Sequence, residues 1–449
     1  MSSSTGLARQ DEITKRGYSH WFSSQTIFLT GSTGSLGGCL LYKLALQLPT
    51  RRIFVLIRDS PQRAVDKWMR AMPDQTPAIL RTNKIHFVIG DISQPELGLS
   101  EPDLLMLREQ ATLVIHAAAN IVLDADLRDS MRNNCLPCLE LARTVARFRR
   151  VRLLVQISTA YVNSFLPDGH VMEKLYAVTS GQEEGGQQRR RRRQRQRQVD
   201  TDLDPGSDNH EDNNEGDDPE EELAEIMTSG RSPYAARFAS PYAYAKHLME
   251  RLLFKRYPQL PLLVVRPTIF GSAVRDPYPL YGPDNSTPLN KFAQFFLAER
   301  GAQLAWHPTH GYRTGANILD ETPVDFVANA CLLHAAARTM GLVHIGAELF
   351  VRRTFDEFIG IIKKSAPPDL STDLPTIIFT EDQSAPQCFL AELVKVSTRN
   401  WLFDCSRSHW LKQVAGPLSL DSCRPEADQM AVMRTQYIYN RQRRERARL

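Results

Sequence analysis

The chain has 449 residues, 42% of them hydrophobic, and a formal net charge of +4. That is enough apolar material for one large domain or two ordinary ones, and too little net charge for a protein that coats nucleic acid. Seven cysteines are scattered without regular spacing; Cys135 and Cys138 form a CxxC with no second pair nearby, so they read as small buried residues in a reducing compartment, and no metal site is expected.

Residues 1–20 read as a flexible N-terminus without the apolar core of a signal peptide. No run of about 18 apolar residues occurs, so no transmembrane helix is expected. The expected location is cytoplasmic, or peripheral on an organelle membrane, and not secreted. TIFLT at 26–30 is a short β-rich run, followed by a glycine cluster and then the helix-forming CLLYKLALQL at 39–48. RRIFVLIR (51–58), KIHFVIGD (84–91), TLVIHAAA (112–119), RLLVQIST (152–159) and LPLLVVRPT (260–268) follow, with helical segments between them. Short continuous apolar runs suit strands buried on both faces. The alternation predicts an α/β fold: a Rossmann-type doubly wound parallel sheet over 21–270, then a smaller substrate-binding C-terminal subdomain over 271–449.

One stretch breaks the pattern. From Thr179 to about Gly230 an arginine block is followed by an acidic block, with almost no apolar residues. It reads as a disordered insert whose halves attract each other, because it buries too little surface to offset the entropy of ordering. A nuclear-localisation or RNA-binding arm is the alternative. The acidic block would compete with any polyanion, so no nucleic-acid partner is expected.

The glycine cluster, TGSTGSLG, places Thr30, Gly31, Thr33, Gly34, Ser35, Leu36 and Gly37 between a strand and a helix. Glycine allows the tight turn and the close approach of a phosphate, and a helix N-terminus favours a pyrophosphate. A dinucleotide is the expected ligand. Strand two ends in Arg58, which suits a 2′-phosphate and hence NADPH. Asp59 follows and could hold the ribose of NADH, the alternative cofactor. Asp91 and Ile92 end strand three, where a carboxylate can accept from the adenine amino group. In HAAA, Ala117 and Ala118 leave room for the cofactor, while His116 reads as a packed histidine.

SPYAYAKHLMERLL, residues 240–253, carries Tyr242, Tyr244 and Lys246. Residues four apart share a helix face and residues two apart do not. Tyr242 and Lys246 can therefore reach one site, whereas Tyr244 points into the core. A neighbouring ammonium is expected to lower the Tyr242 pKa towards working pH, and the lysine's remaining donors can hold the nicotinamide ribose. Ser158 and Thr159 end strand five, where ligands bind in open α/β sheets; Thr159 is the preferred hydroxyl for orienting a substrate oxygen. Phe292, Phe295 and Phe296 line either an acyl chain or a small core.

Taken in order, T-G-x-x-G-x-x-G, HAAA, the Ser/Thr strand end and Y-x-x-x-K resemble the extended short-chain dehydrogenase/reductases. WFSSQTIFLTGSTGSLGGCLLYKL, VLIRD, ISTAYVN, RPTIFGSAVRDPYP and PVDFVANA resemble the fatty acyl-CoA reductase, or male sterility, branch and its thioester-reductase relatives. The resemblance covers roughly residues 20 to 345, apart from the charged insert, and NWLFDCSRSHWL looks like part of the family's C-terminal segment. It implies a Thr159–Tyr242–Lys246 triad and a relay asparagine, for which Asn134 is the closest match and Asn133 the alternative. Ser35 stands where these reductases usually carry an aromatic residue. The implied activity is NADPH-dependent reduction of an acyl thioester, on coenzyme A or a carrier protein, to an aldehyde or a primary alcohol, in lipid or secondary metabolism. An epimerase or sterol dehydrogenase of the same superfamily, or a non-catalytic nicotinamide-binding regulator, is the alternative. Oligomeric state is not readable.

Overall fold

The computed structural model describes residues 8–13, 17–121, 125–178, 218–282, 287–307, 315–368, 373–380, 382, 384, 386, 388, 390–391, 399–422 and 424–446. Its main strands and helices run in the order β1 (Thr26–Thr30), α1 (Ser35–Tyr42), β2 (Arg52–Ile57), α2 (Pro61–Ala71), β3 (Ile85–Ile89), α3 (Glu101–Gln110), β4 (Leu113–His116), α4 (Leu127–Asn134), α5 (Leu136–Val145), β5 (Leu153–Ile157), α6 (Pro219–Ser229), α7 (Pro241–Arg256), β6 (Leu262–Pro267), α8 (Pro288–Ala298), α9 (Val324–Ala336), β7 (Gly341–Ile345), α10 (Phe355–Lys364) and α11 (Arg424–Arg446).

The seven strands form one parallel sheet in the order β7-β6-β5-β4-β1-β2-β3. Every residue of β1, β4, β5 and β6 is buried. Alternate side chains serve opposite layers. Ile27, Leu29, Val155 and Val265 pack with α1 and α9 on one face. Phe28, Val114, Leu154 and Val264 pack with α4, α5 and α7 on the other. Helices on both faces explain why the strands are apolar throughout rather than alternating.

Local signals set where helices begin. Ser240 caps α7 by accepting the Ala243 N–H at 3.2 Å, with Pro241 in the first turn. Asp126 and Asp218 cap α4 and α6 in the same manner, and Gly230 closes α6 at φ +75°.

Three expectations need correction. The flexible N-terminus does not hold where it is described: residues 8–13 are helical, and Ile13 and Tyr18 are buried in the core. The Tyr18 hydroxyl accepts the Leu418 N–H at 2.9 Å, joining this segment to one 400 residues further on. The charged insert does not run unstructured to Gly230. Residues 179–217 lie outside the described residues, but 218–230 are α6 and its caps, with Leu223 and Ile226 buried. Its acidic residues find fixed cations on α7: Asp218 meets Lys255, Glu220 meets Arg256 and Glu222 meets Arg251. Finally, the sheet does not end at residue 270, because β7 extends its edge beyond β6 and α9 covers it. The smaller unit after residue 270 has its own core, built on α8, α10 and Trp306. Phe292 and Phe296 are buried in that core, while Phe295 is 43% exposed.

Candidate active site

β1 pairs with β4 on one side and β2 on the other, so the order of the sheet reverses there. Connections from these strands leave in opposite directions and open a crevice at their C-terminal ends. The glycine turn fills the floor of this crevice. Gly31 has φ +76°, and a Cβ there would lie 2.5 Å from the Ala118 nitrogen. Any side chain would push apart the ends of β1 and β4. Gly37 is equally constrained, since its Cβ would collide with the Gly31 carbonyl. Helix α1 starts at this turn with no side-chain cap from Gly34, and its first-turn N–H groups face the crevice end. Thr33 and Gly34 are exposed at the tip, while Leu36 and Gly37 are buried. Ser35 offers its carbonyl to the Tyr281 hydroxyl at 3.1 Å, a long-range contact that nothing in the local sequence announces.

Arg58 is exposed just past the end of β2, whereas Asp59 pairs with Arg63 at 3.4 Å. Asp91 accepts from both the N–H and the hydroxyl of Ser93, at 2.9 and 2.8 Å, and Ile92 packs on the core beneath. His116 is fully buried. Its Nδ1 lies 2.6 Å from the Thr30 hydroxyl and its Nε2 lies 3.4 Å from the Cys138 sulfur. Burial, with Lys246 second, pushes its pKa down to about 3, so it stays neutral. Cys135 and Cys138 are buried free thiols.

Helix α7 and the end of β5 complete the site. Lys246 is 1% exposed, and its ammonium donates to the Ile157 carbonyl at 3.2 Å. Ile157 is the last residue of β5, so this bond holds the lysine directly below Ser158 and Thr159. Thr159 caps the turn that follows, its oxygen accepting the Tyr161 N–H at 3.3 Å, which leaves its own proton to donate. The Ser158 hydroxyl is buried and meets no partner among the described residues. Tyr242 lies near enough to Lys246 for the charge to act on its phenol, yet burial outweighs that effect and raises the phenol's pKa. The expected lowering is therefore corrected. Desolvation of the half-buried Tyr242 costs its phenolate more than one ammonium returns. Lys246 itself feels burial pulling it down, while Cys138, Tyr242 and Glu250 favour the ammonium and leave its pKa above the usual lysine value.

Tyr244 turns the other way. Its hydroxyl bonds to Glu222 on α6 and to Ser232 at 2.7 Å, and its ring stacks on Phe238. Asn134 ends α4, is 2% exposed and accepts the Asn120 N–H at 2.9 Å. Asn133 is exposed. The structure thus brings Tyr242, Lys246, Ser158 and Thr159 to one side of the crevice and the glycine turn to the other.

Glycines that a Cβ would block, an uncapped helix start and an exposed arginine past β2 fit a dinucleotide, and the molecule has the Rossmann-type fold of nicotinamide-dependent short-chain dehydrogenases. The family model described as male sterility protein matches residues 29–331, and the chain belongs to that family. "Probable fatty acyl-CoA reductase 5" from Arabidopsis thaliana is 25% identical over 358 residues, which cover 74% of this chain and 68% of the relative. Fatty acyl-CoA reductase 1 from Homo sapiens is 25% identical over 326 residues, covering 70% of this chain and 55% of the relative, so the chain spans little more than half of that protein. Among solved structures, the terminal R domain from the myxalamid PKS-NRPS biosynthetic pathway superposes with TM-score 0.59 at 20% identity, over 92% of this chain and 89% of the other. UDP-glucuronic acid 4-epimerase from Bacillus cereus, in complex with NAD, superposes with TM-score 0.54 at 15% identity, over 93% and 98%. These two share the fold. Among the described residues, no helix is long and apolar enough to cross a membrane.

Proposed function

We propose that the protein is an NADPH-dependent reductase of acyl thioesters, carried on coenzyme A or on a carrier protein. What supports this reading is Lys246, on the same helix as Tyr242, bonded to the Ile157 carbonyl next to Ser158 and Thr159, with the glycine turn at the point where the sheet order reverses. The fatty acyl-CoA reductase relatives support the substrate class. Gly31, Gly34, Leu36 and Gly37 would cradle the pyrophosphate, Arg58 the 2′-phosphate, Asp91 the adenine, and Lys246 the nicotinamide ribose. Bound NADPH supplies a hydride to the substrate's carbonyl carbon.

The chain's own residues handle the oxygen. Tyr242 and Thr159 donate hydrogen bonds to the carbonyl oxygen, on which negative charge develops. Donors aimed at such an oxyanion lower the barrier by about 3–4 kcal/mol each. The raised Tyr242 pKa makes the phenol a weaker acid, so proton transfer depends on Lys246 to hold the phenolate that forms. Proton transfer from Tyr242 leaves a hemithioacetal, which expels the thiol as the aldehyde forms. A second round on a retained aldehyde gives the primary alcohol. Lys246, held by the Ile157 carbonyl, stabilises the phenolate left behind.

The test is incubation with NADPH and a panel of acyl-CoA and acyl-carrier thioesters, with products identified by mass. Thioester-dependent oxidation of NADPH with release of free thiol is expected. Absence of oxidation with every thioester would refute the reading.

A further inference from the structure

Gly38 follows the three glycines of the turn and falls outside the dinucleotide spacing. Inside a helix glycine is less stable than alanine, so its place in α1 asks for a reason. A Cβ at Gly38 would collide with the Tyr281 hydroxyl, while the next nearest atoms, the Ser32 carbonyl oxygen and the Met72 methyl, stand off at 3.5 and 3.6 Å. One phenol oxygen therefore keeps this position bare. The same hydroxyl donates to the Ser35 carbonyl at 3.1 Å. Tyr281 is 2% exposed, and burial raises its pKa, so the hydroxyl keeps the proton it donates.

The tyrosine reaches α1 from a segment that is braced at several points. The Ala273 N–H donates to the Tyr281 carbonyl and the Leu280 N–H to the Ala273 carbonyl, each at 2.9 Å, which closes the segment on itself. Asp325, in the first turn of α9, accepts the N–H groups of Val274, Arg275 and Asp276 at 3.2, 2.9 and 3.2 Å. Lys43, buried just past α1, pairs with Asp276 at 2.7 Å. The Tyr278 hydroxyl donates to the carbonyl of Ala71, the last residue of α2, at 2.7 Å. What this frame holds is a peptide of the dinucleotide turn. The Ser35 carbonyl and the Leu36 N–H belong to one planar peptide group, and that N–H is among the first-turn donors of α1 that find no partner within the helix. A donor on the carbonyl fixes the plane of the peptide and polarises it, which strengthens its N–H as a donor in turn.

We propose that Tyr281 is a positioning residue for the dinucleotide, holding the Ser35–Leu36 peptide in the orientation in which its N–H meets the pyrophosphate. The proposal rests on the reading that the glycine turn cradles a pyrophosphate. It is tested by titrating Tyr281→Phe with NADPH, or with NADH if that is the dinucleotide the wild type binds. The control ligand is the matching fragment without a pyrophosphate, adenosine 2′-phosphate or adenosine. The dinucleotide should bind roughly three- to tenfold more weakly than to the wild type, the weight of one hydrogen bond, and the fragment should bind equally well. Unchanged binding of the dinucleotide would overturn the proposal. So would an equal loss for the fragment, which would mean a general loosening of the fold. Gly38→Ala displaces the hydroxyl, so it should weaken the dinucleotide to a similar extent. In the Tyr281→Phe background, where the obstructing atom is gone, it should add nothing; losses that add in the double variant would contradict the link between the two residues and overturn the proposal. A wild type that binds neither dinucleotide overturns the cofactor reading and the proposal with it, an outcome distinct from a wild type and a Tyr281→Phe that bind alike.

Discussion

Tyr242 and Tyr244 are two residues apart on α7 and face different neighbours, which makes their variants a sharp pair. Tyr242→Phe should lower kcat by about 10² to 10⁴ with NADPH affinity nearly unchanged, since only the proton donor is lost. Lys246→Ala should harm both, because the lysine is proposed to serve the phenol and the ribose. Tyr244→Phe should keep its kcat but lose about 1–3 kcal/mol of stability, the cost of stranding the buried Glu222 and the half-buried Ser232. Steady-state kinetics, fluorescence titration with NADPH and denaturant unfolding separate the three. A dead Tyr244→Phe with an active Tyr242→Phe would reverse the assignment. Arg58→Ala should raise the KM for NADPH far more than that for NADH, by the ~1.5–3 kcal/mol of a charge-assisted contact; equal weakening of both would remove Arg58 from the phosphate. Helical spacing alone separated the two tyrosines, and it agrees with where the structure turns them. The rise in the Tyr242 pKa was not legible, because burial depends on what packs around the helix and not on the helix itself.

At the scale of elements, α6 shows where composition misleads. PEEELAEIM looks like a continuation of the acidic block, yet Leu223 and Ile226 are three apart and both are buried. Two apolar residues sufficed because the acidic ones are spent on α7 rather than left in water. Glu222 is the central case: its carboxylate is 4% exposed and meets both Arg251 and Tyr244. Glu222→Ala should cost about 3–5 kcal/mol, since it leaves a largely buried guanidinium without its counter-charge. Urea unfolding measures it, and a loss below about 1 kcal/mol, the range of exposed pairs, would mean that α6 is not anchored through Glu222. Strands β1 to β6 were legible as apolar runs; for β1, β4, β5 and β6 full burial on both faces leaves that mark. β7 was not: GLVHI is short, and only its parallel pairing with β6 reveals it as the sheet edge.

Across the whole molecule, the ends of the chain are fastened to the Rossmann core by contacts that sequence does not announce. NWLFDCSRSHWL supplies the Trp401–Phe403 strand, and beyond it Glu173 joins two distant segments by accepting the N–H groups of His344, at 2.7 Å, and Arg407, at 3.2 Å. Burial pushes the Glu173 carboxyl from 4.5 up to about 7, against those two N–H groups and the nearby Arg407 charge, with Asp404 adding to the rise. The folded chain then keeps a proton that the unfolded chain releases. The stabilisation is fully present below the unfolded value and is lost as pH rises through about 7. The wild type should therefore lose stability between pH 5 and 8 relative to Glu173→Gln, by on the order of 1–3 kcal/mol. Denaturant unfolding at each pH would show it, and parallel curves would contradict it. In the reading proposed above, NADPH bound in this crevice gives its hydride to a thioester carbonyl. The direct measurement uses NADPH deuterated at the transferring position, with the thioester product analysed by mass spectrometry in wild type and Tyr242→Phe. Deuterium at the former carbonyl carbon with the wild type, and its loss in the variant, is the predicted result; a cofactor that is never oxidised and a product without deuterium would contradict the account.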